Sequence, residues 1–164
     1  MLFWGTQVSA TRVKIYFSPN GGCEDAIVEA ISHAKREIDV AMYAFTSRTL
    51  ARALVAAKGR GITVRVVMDG SFAQENEYSK AEYLRRKGIP VKLVTPYGQW
   101  GRSREWEGKM HNKFAVIDSS TVITGSYNWT TTAERVNYEN LLIFTDAPEV
   151  ASAYKREFNL LWNR

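Results

Sequence analysis

The sequence contains very little cysteine and histidine. Cys23 is the only cysteine among 164 residues, so the chain has neither an internal disulfide nor a cysteine-rich zinc site. The two histidines, His33 and His111, show no spacing typical of metal ligands. We therefore expect no metal and no other cofactor, and any chemistry must come from the side chains themselves.

The sequence also lacks long hydrophobic runs. No apolar segment approaches the roughly 18 residues that cross a bilayer, so we expect no transmembrane segment. The apolar opening Met1-Leu2-Phe3-Trp4 is too short for the core of a signal peptide, and no basic residues precede it. We expect a soluble protein, cytoplasmic unless a secretory signal has been removed, in which case it is periplasmic or secreted.

Charge is unbalanced only modestly, with 22 Lys and Arg against 17 Asp and Glu and a formal net charge of +5. The hydrophobic fraction of 45% and charged fraction of 24% are typical of globular proteins and argue against a disordered or fibrous chain. The basic surplus favours a polyanionic partner, either nucleic acid or an anionic membrane surface. The length fits one domain, which we place at residues 12–164 after an N-terminal extension of residues 1–11.

Apolar β-branched runs alternate with segments of helical periodicity along most of the chain. Strands are predicted over residues 12–17, 38–45, 62–68, 91–94, 113–117, 121–124 and 139–144. Helices are predicted over residues 27–34, 50–57, 77–87 and 150–161. Such alternation favours parallel βαβ units. We therefore predict an α/β fold in which a mixed, mainly parallel sheet is flanked by helices on both faces.

Two polar side chains open the strand predicted at residues 113–117. His111 and Lys113 are two positions apart, so they project from the same side of an extended segment. An unpaired lysine is costly to bury, and an anion bound between these side chains would explain its presence. Histidine can attack phosphorus and transfer protons near neutrality, while lysine stabilises charge on phosphate oxygens.

A second polar group follows downstream. Gly125 permits close backbone approach, and Ser126 and Asn128 share one face from which both can donate hydrogen bonds to one phosphate. The carboxylate of Glu139 is suited to hold the second ring nitrogen of His111 and fix its tautomer. A His-x-Lys pair or a Gly-Ser-x-Asn segment often occurs by chance. The prediction of a phosphate site therefore depends on the combined spacing of both.

The combined pattern is His-x-Lys, four residues, Asp118, six residues, then Gly-Ser-x-Asn. It resembles the HKD signature of the phospholipase D superfamily, and the likeness covers about residues 12–162. Glu139 stands where bacterial endonuclease members carry an orienting glutamate. The chain is similar to the small single-motif bacterial endonucleases and, more distantly, to the Zucchini-type or mitochondrial cardiolipin hydrolase branch.

This resemblance implies metal-independent phosphodiester hydrolysis in an active site built from two HKD motifs. Because this sequence has one motif, the resemblance implies a homodimer with the active site on its two-fold axis. One His111 would form a covalent phosphohistidine, while the partner's His111 would protonate the leaving oxygen and then activate water. Lys113, Asn128 and Ser126 would hold the phosphate, and Asp118 would have a structural role.

The segment before the motif has two arginines between two tryptophans, and we predict that it contributes to substrate binding through Trp100, Arg102, Arg104 and Trp106. Aromatic rings that stack bases beside cations that bind phosphates suit single-stranded nucleic acid. As alternatives, the tryptophans anchor this loop, pack in the dimer interface or insert at a membrane surface.

These features predict a largely non-specific endonuclease that acts on DNA or RNA and prefers single strands. One alternative is a phospholipase D-type hydrolase of an anionic membrane lipid such as cardiolipin. A second alternative is a non-catalytic nucleic-acid-binding subunit. The presence of His111, Lys113, Asn128 and Glu139 together argues against this last possibility.

Overall fold

The computed structural model describes residues 10–95 and 108–164 of the chain. The strands in these ranges are β1 (Arg12–Ser18), β2 (Glu37–Met42), β3 (Thr63–Asp69), β4 (Val91–Val94), β5 (Lys113–Ile117), β6 (Thr121–Gly125) and β7 (Glu139–Thr145). The helices there are α1 (Cys23–Ser32), α2 (Arg48–Gly59), α3 (Gly70–Glu75), α4 (Ala81–Arg86), α5 (Thr131–Arg135) and α6 (Pro148–Trp162). Residues 1–9 of the predicted N-terminal extension lie outside the described residues.

The strands form one sheet in the order β1-β7-β6-β5-β2-β3-β4. The predicted mixed sheet is confirmed, but the expectation that it is mainly parallel is wrong. Only β2 with β3 and β3 with β4 pair in parallel among the described strands, and the other neighbours are antiparallel. The physical reason is that strand–helix–strand alternation stops at β4. A tight turn then joins β5 to β6, and such turns produce antiparallel neighbours.

Successive side chains of the central strands face opposite sides of the sheet and build two apolar cores. Val40 of β2 packs with α1 and α2, whereas its neighbour Ala41 packs on the other side with Phe158 of α6. The predicted helices on both faces are therefore confirmed. Leu54 of α2 and Phe158 are fully buried, and each such side chain contributes about 1.5–3 kcal/mol of hydrophobic stabilisation.

The connection after β3 begins with α3, a helix that is not among the predicted ones. Asp69 caps α3, and its Oδ1 accepts a hydrogen bond from the Phe72 amide at 2.8 Å. A Cβ at Gly70 would lie 2.2 Å from Thr95 Oγ1, so the helix begins tightly against the end of β4. The helix predicted over residues 77–87 is shorter and corresponds to α4.

One end of the sheet collects the polar residues of the predicted site. The carboxyl end of β2 pairs with the beginning of β5, where Met42 is opposite Lys113. The carboxyl end of β6 lies beside the beginning of β7, where Gly125 is opposite Leu141. Within the described ranges, no helix has the length and apolar character needed to span a membrane.

Candidate active site

Except for Asp118, the predicted motif residues of the described ranges meet in one open pocket of about 440 Å³ at this end of the sheet. The pocket is lined by His111, Lys113, Gly125, Ser126, Asn128 and Glu139. The loop residues predicted to contact substrate lie outside the described residues, namely Trp100, Arg102, Arg104 and Trp106. The structure therefore brings together residues up to 28 positions apart at the ends of three adjacent strands.

Lys113 lies directly against His111. Its Nζ is 3.1 Å from Nδ1 and 3.3 Å from Nε2 of the imidazole, and it donates to the His111 carbonyl oxygen at 2.8 Å. Burial and the positive charges of Lys113 and Lys109 lower the pKa of His111, while the carboxylate of Asp69 opposes them. The imidazole is thereby kept neutral near pH 7, which leaves a nitrogen lone pair for attack.

Burial lowers the pKa of Lys113 as well, and the negative charge of Glu139 acts in the opposite direction. A cation in this position is stabilised when an anion enters the pocket, because the anion replaces lost solvation. The pocket therefore has the electrostatic character of an anion site with a neutral nucleophile beside it.

Tyr43 packs against two residues of the pocket, His111 and Lys113. Its ring centroid is 4.5 Å from that of His111, and the ammonium groups of Lys113 and Lys109 lie 5.2 and 5.7 Å from the Tyr43 ring. The Tyr43 amide donates to the Asn112 carbonyl at 2.9 Å, which ties the end of β2 to the start of β5. The sequence analysis gave Tyr43 no role, although an aromatic residue directly after a buried strand is a usable signal.

Asp69 fixes the chain just before His111. This carboxylate is only 1% exposed, and its Oδ2 accepts a hydrogen bond from the Met110 amide at 2.8 Å. Its other oxygen caps α3. Asp69 therefore acts as a positioning residue, and it was not among the predicted site residues. The available signal was a carboxylate at the end of an otherwise apolar strand.

Gly125 is required by the backbone around it. Its φ is 144°, and a Cβ at this position would lie 2.3 Å from the carbonyl oxygen of Asn140. Ser126 and Asn140 then form a reciprocal pair. The Ser126 amide donates to Asn140 Oδ1 at 3.1 Å, and the Asn140 amide donates to Ser126 Oγ at 3.0 Å. Asn140 was not among the predicted residues.

Glu139 is held by its own chain. Ser126 Oγ donates to one carboxylate oxygen at 2.5 Å, and Asn137 Nδ2 donates to the other at 3.1 Å. Among the described residues of one chain, its side-chain hydrogen-bond partners are therefore these two rather than His111. Asn128 is anchored through Oδ1, which accepts from the Ala44 amide at 3.3 Å, and no described residue takes a hydrogen bond from its Nδ2.

Asp118 lies at the opposite end of β5 from the pocket. Its carboxylate accepts hydrogen bonds from the amides of Lys35 and Arg36 at 2.7 Å and of Glu37 at 3.0 Å. Burial alone would raise the pKa of Asp118, but these backbone donors outweigh it and lower the pKa. The contacts tie the β5–β6 turn to the start of β2, in keeping with the structural role expected of Asp118.

No group of three or more metal-ligating side chains occurs in residues 10–95 and 108–164. The arrangement can bind an anion through Lys113 and Asn128 and present a neutral imidazole to it. These are the requirements for nucleophilic substitution at a phosphate.

Residues 27–162 match the family described as "Cardiolipin synthase, PLD-like domain". The chain is 37% identical over 129 residues to mitochondrial cardiolipin hydrolase from Xenopus tropicalis, covering 79% of this chain and 56% of that protein. It is 32% identical over 149 residues to phospholipase D from Rickettsia bellii, covering 91% of this chain and 68% of that protein. The chain thus spans little more than half the length of the frog protein.

Two solved structures superpose over nearly the whole chain. Nuc from Salmonella typhimurium, a phospholipase D family member, gives a TM-score of 0.84 at 31% identity and covers 94% of this chain and 95% of its own. NucT from Helicobacter pylori gives a TM-score of 0.83 at 28% identity, covering 94% and 97%. The family match and these identities show that the chain belongs to the phospholipase D superfamily, as a member of its PLD-like domain family.

Proposed function

We propose that the protein is a metal-independent phosphodiesterase that cleaves single-stranded nucleic acid, with little sequence preference, through a covalent phosphohistidine. The observation that carries this proposal is the contact of Lys113 with the imidazole of His111 inside one open pocket that Asn128 also lines. His111 supplies the nucleophile in its neutral form. Lys113 and Asn128 lie where they stabilise the negative charge that develops on the phosphate oxygens.

The reaction needs two imidazoles, whereas one chain supplies one to the pocket. The nucleophile approaches phosphorus opposite the leaving oxygen, so the group that protonates this oxygen must stand on the other side. A homodimer with two pockets facing each other across a two-fold axis satisfies this requirement. The exposed position of His111 in the isolated chain supports such an arrangement.

In the first step, a nitrogen of His111 attacks phosphorus, the bond from phosphorus to the leaving oxygen breaks, and the partner's His111 donates a proton to that oxygen. In the second step, the partner's His111 accepts a proton from water. The resulting hydroxide attacks phosphorus and the nitrogen–phosphorus bond breaks, which regenerates both side chains.

The role of Glu139 follows from its contacts. Ser126 and Asn137 each bind one oxygen of its carboxylate, which keeps lone pairs free for an imidazole, and His111 of the same chain makes no hydrogen bond to it. We infer that Glu139 orients the partner's His111 and stabilises its protonated form. Ser126 holds Glu139 in place while it lies beside the phosphate.

A second candidate function is hydrolysis of an anionic phospholipid. It is favoured by the 37% identity to a protein named mitochondrial cardiolipin hydrolase. It is also favoured by three apolar side chains of the edge strand β1, because Val13, Ile15 and Phe17 are 45%, 59% and 64% exposed on one face. Such an apolar surface is suited to contact lipid. The net charge of +5 suits an anionic lipid surface as well as nucleic acid, so it does not decide between the two substrates.

The test incubates the protein in EDTA with single-stranded DNA, double-stranded DNA, RNA and cardiolipin vesicles. We expect cleavage of nucleic acid, fastest on single strands, and its loss in His111→Ala. The matched control is His33→Ala, which removes the other histidine from an exposed site at the end of α1. Cleavage of cardiolipin without cleavage of nucleic acid would contradict the proposed substrate. Loss of activity in EDTA would contradict the metal-independent mechanism.

A further inference from the structure

A basic groove lies on the surface formed by α2, α4 and the segment between α3 and α4. It consists of two adjoining cavities of about 860 and 600 Å³, whose linings share Arg48, Asn76 and Lys80. We call it the α2–α4 groove. We propose that this groove binds the phosphate backbone of a single nucleic-acid strand whose scissile phosphate occupies the active site. The inference rests on the proposed nuclease function and adds a binding site outside the catalytic pocket.

Cations predominate in the larger cavity. Its lining contains two carboxylates, Glu77 and Glu82, and Glu82 already pairs with Arg85 at 2.7 Å. The cations of the same lining are Arg48, Arg52, Lys80, Arg85 and Arg86. A concave surface with this surplus attracts and holds polyanions.

The smaller cavity adds Arg135, together with the carboxylates of Glu24 and Glu134. Both carboxylates are engaged by neighbouring groups. Ser47 Oγ donates to Glu24 at 2.5 Å, and the Tyr127 hydroxyl donates to Glu134 at 2.8 Å. Glu24 and Glu134 therefore reduce the net positive charge of the groove, but among the described residues neither forms an ion pair with one of its cations.

Three of the cations lie together in the lining of the larger cavity. Arg48 and Arg52 are one turn apart on α2, and burial together with the charge of Arg48 lowers the pKa of Lys80. In the described part of the chain, no carboxylate forms a salt bridge with Arg48, Arg52 or Lys80. Like charges held together in this way repel, and a bound phosphate removes that cost.

Two aromatic rings connect the groove with the catalytic pocket. Phe72 lines the smaller cavity, and its ring centroid is 5.5 Å from that of Tyr43. Tyr43 in turn is 4.5 Å from His111. Aromatic faces that stack bases, followed by cations that hold phosphates, are the two elements of single-strand binding channels. A polymer uses this extended path, whereas a phospholipid headgroup places its phosphates at the catalytic pocket only.

The test compares Arg48→Gln/Arg52→Gln with wild type on a long single-stranded oligonucleotide and on bis(4-nitrophenyl) phosphate. We expect kcat/KM for the oligonucleotide to fall about tenfold and its logarithmic salt dependence to weaken by about 1.4, at about 0.7 per lost phosphate contact. The rate on the small ester should be unchanged. The matched control is Lys35→Gln/Lys58→Gln, which removes the same charge from exposed sites outside the groove and should behave as wild type.

The outcomes separate this inference from the proposed function. If wild type cleaves the oligonucleotide and the groove variant cleaves it equally well, the groove proposal is wrong and the nuclease function stands. If wild type cleaves no nucleic acid, both are wrong. Loss of binding to cardiolipin vesicles, with oligonucleotide cleavage intact, would assign the groove to a membrane. Arg86→Gln/Arg135→Gln tests the same groove without altering α2, should the first variant fold poorly.

Discussion

The ammonium nitrogen of Lys113 lies 3.1 Å from Nδ1 of His111, so a cation and the proposed nucleophile occupy the same corner of the pocket. This proximity has two consequences. The positive charge opposes protonation of the imidazole, and the same charge faces the place where phosphate oxygens gain negative charge during attack.

Removal of the Lys113 charge should therefore change both the rate and its pH dependence. Because the pKa of His111 lies below its ordinary value, wild-type activity should fall as pH decreases through that lowered pKa. In Lys113→Gln the pKa of His111 rises, so the acidic limb moves to higher pH. We also expect kcat to fall about 10²–10³-fold, as for loss of a group that stabilises developing oxyanion charge.

The measurement is a pH–rate profile with a small phosphodiester. Lys109→Gln is the matched control, since Lys109 also lowers the pKa of His111 but does not line the pocket. Lys109→Gln should shift the acidic limb of the pH–rate profile slightly and leave kcat near that of wild type. An acidic limb at the same pH in Lys113→Gln and wild type would contradict the electrostatic account.

A buried ion network supports the sheet on the α6 side. Asp39 is 1% exposed and binds Arg65 through two hydrogen bonds of 2.8 and 2.9 Å, and it also contacts Lys155. Removal of the Asp39 carboxylate leaves Arg65 without its anionic partner, while Lys155 keeps its pair with Glu37 at 2.7 Å. Asp39→Ala should therefore lower the free energy of unfolding by about 3–5 kcal/mol. The side chain is remote from the pocket, and kcat of the folded fraction should be unchanged.

Urea denaturation gives the free energy of unfolding for this comparison. Arg12→Ala serves as control because it breaks the exposed pair with Asp146, whose side chains are 75% and 38% exposed. Such a pair contributes less than about 1 kcal/mol. A similar effect of the two substitutions would show that the buried network does not stabilise the fold.

Stability in acid should depend on Asp118. Its folded-state pKa is lowered, so the carboxylate stabilises the protein above the unfolded-state pKa, and this contribution is lost as pH falls through the lowered folded-state pKa. Asp118→Asn should therefore reduce stability near neutrality and unfold with a weaker pH dependence in acid. Asparagine tolerates the positive φ of 52° at this position, so backbone strain is not added.

The check is the urea midpoint near neutrality and at about pH 3, where the difference between variant and wild type should shrink. Glu37, whose pKa is also lowered because hydrogen bonds and charges from Lys155 and other neighbours outweigh its burial, remains in both proteins. A constant difference at both pH values would contradict the role assigned to the Asp118 carboxylate.

The site was predictable from the sequence where its geometry is local. His111 and Lys113 share a face because of strand periodicity, and Gly125 through Asn128 follow a strand in the same way. Asp69 was missed because its partner, the Met110 amide, is 41 residues away. Asn140 was missed because its pairing with Ser126 depends on the register between β6 and β7. Neither of these hydrogen bonds produces a periodic pattern in the sequence.

The sheet, too, was predictable in its local features but not in its long-range pairing. Strand positions followed from apolar runs, and the β5–β6 hairpin from its short turn at residues 118–120. The direction of β5 against β2 is set by long-range pairing, which apolar patterning does not encode. Strand–helix alternation continues only as far as β4, and the parallel fraction was overestimated because the prediction extended it to the whole sheet.

The most direct test of the central claim, that two copies of His111 form one active site, is a subunit-mixing titration. Wild type is mixed with increasing amounts of His111→Ala under conditions of subunit exchange, and activity per wild-type chain is measured. If each reaction needs both imidazoles, activity per wild-type chain falls in proportion to the wild-type fraction, since mixed dimers are inactive. If activity per wild-type chain stays constant, each chain works alone and the shared active site is contradicted.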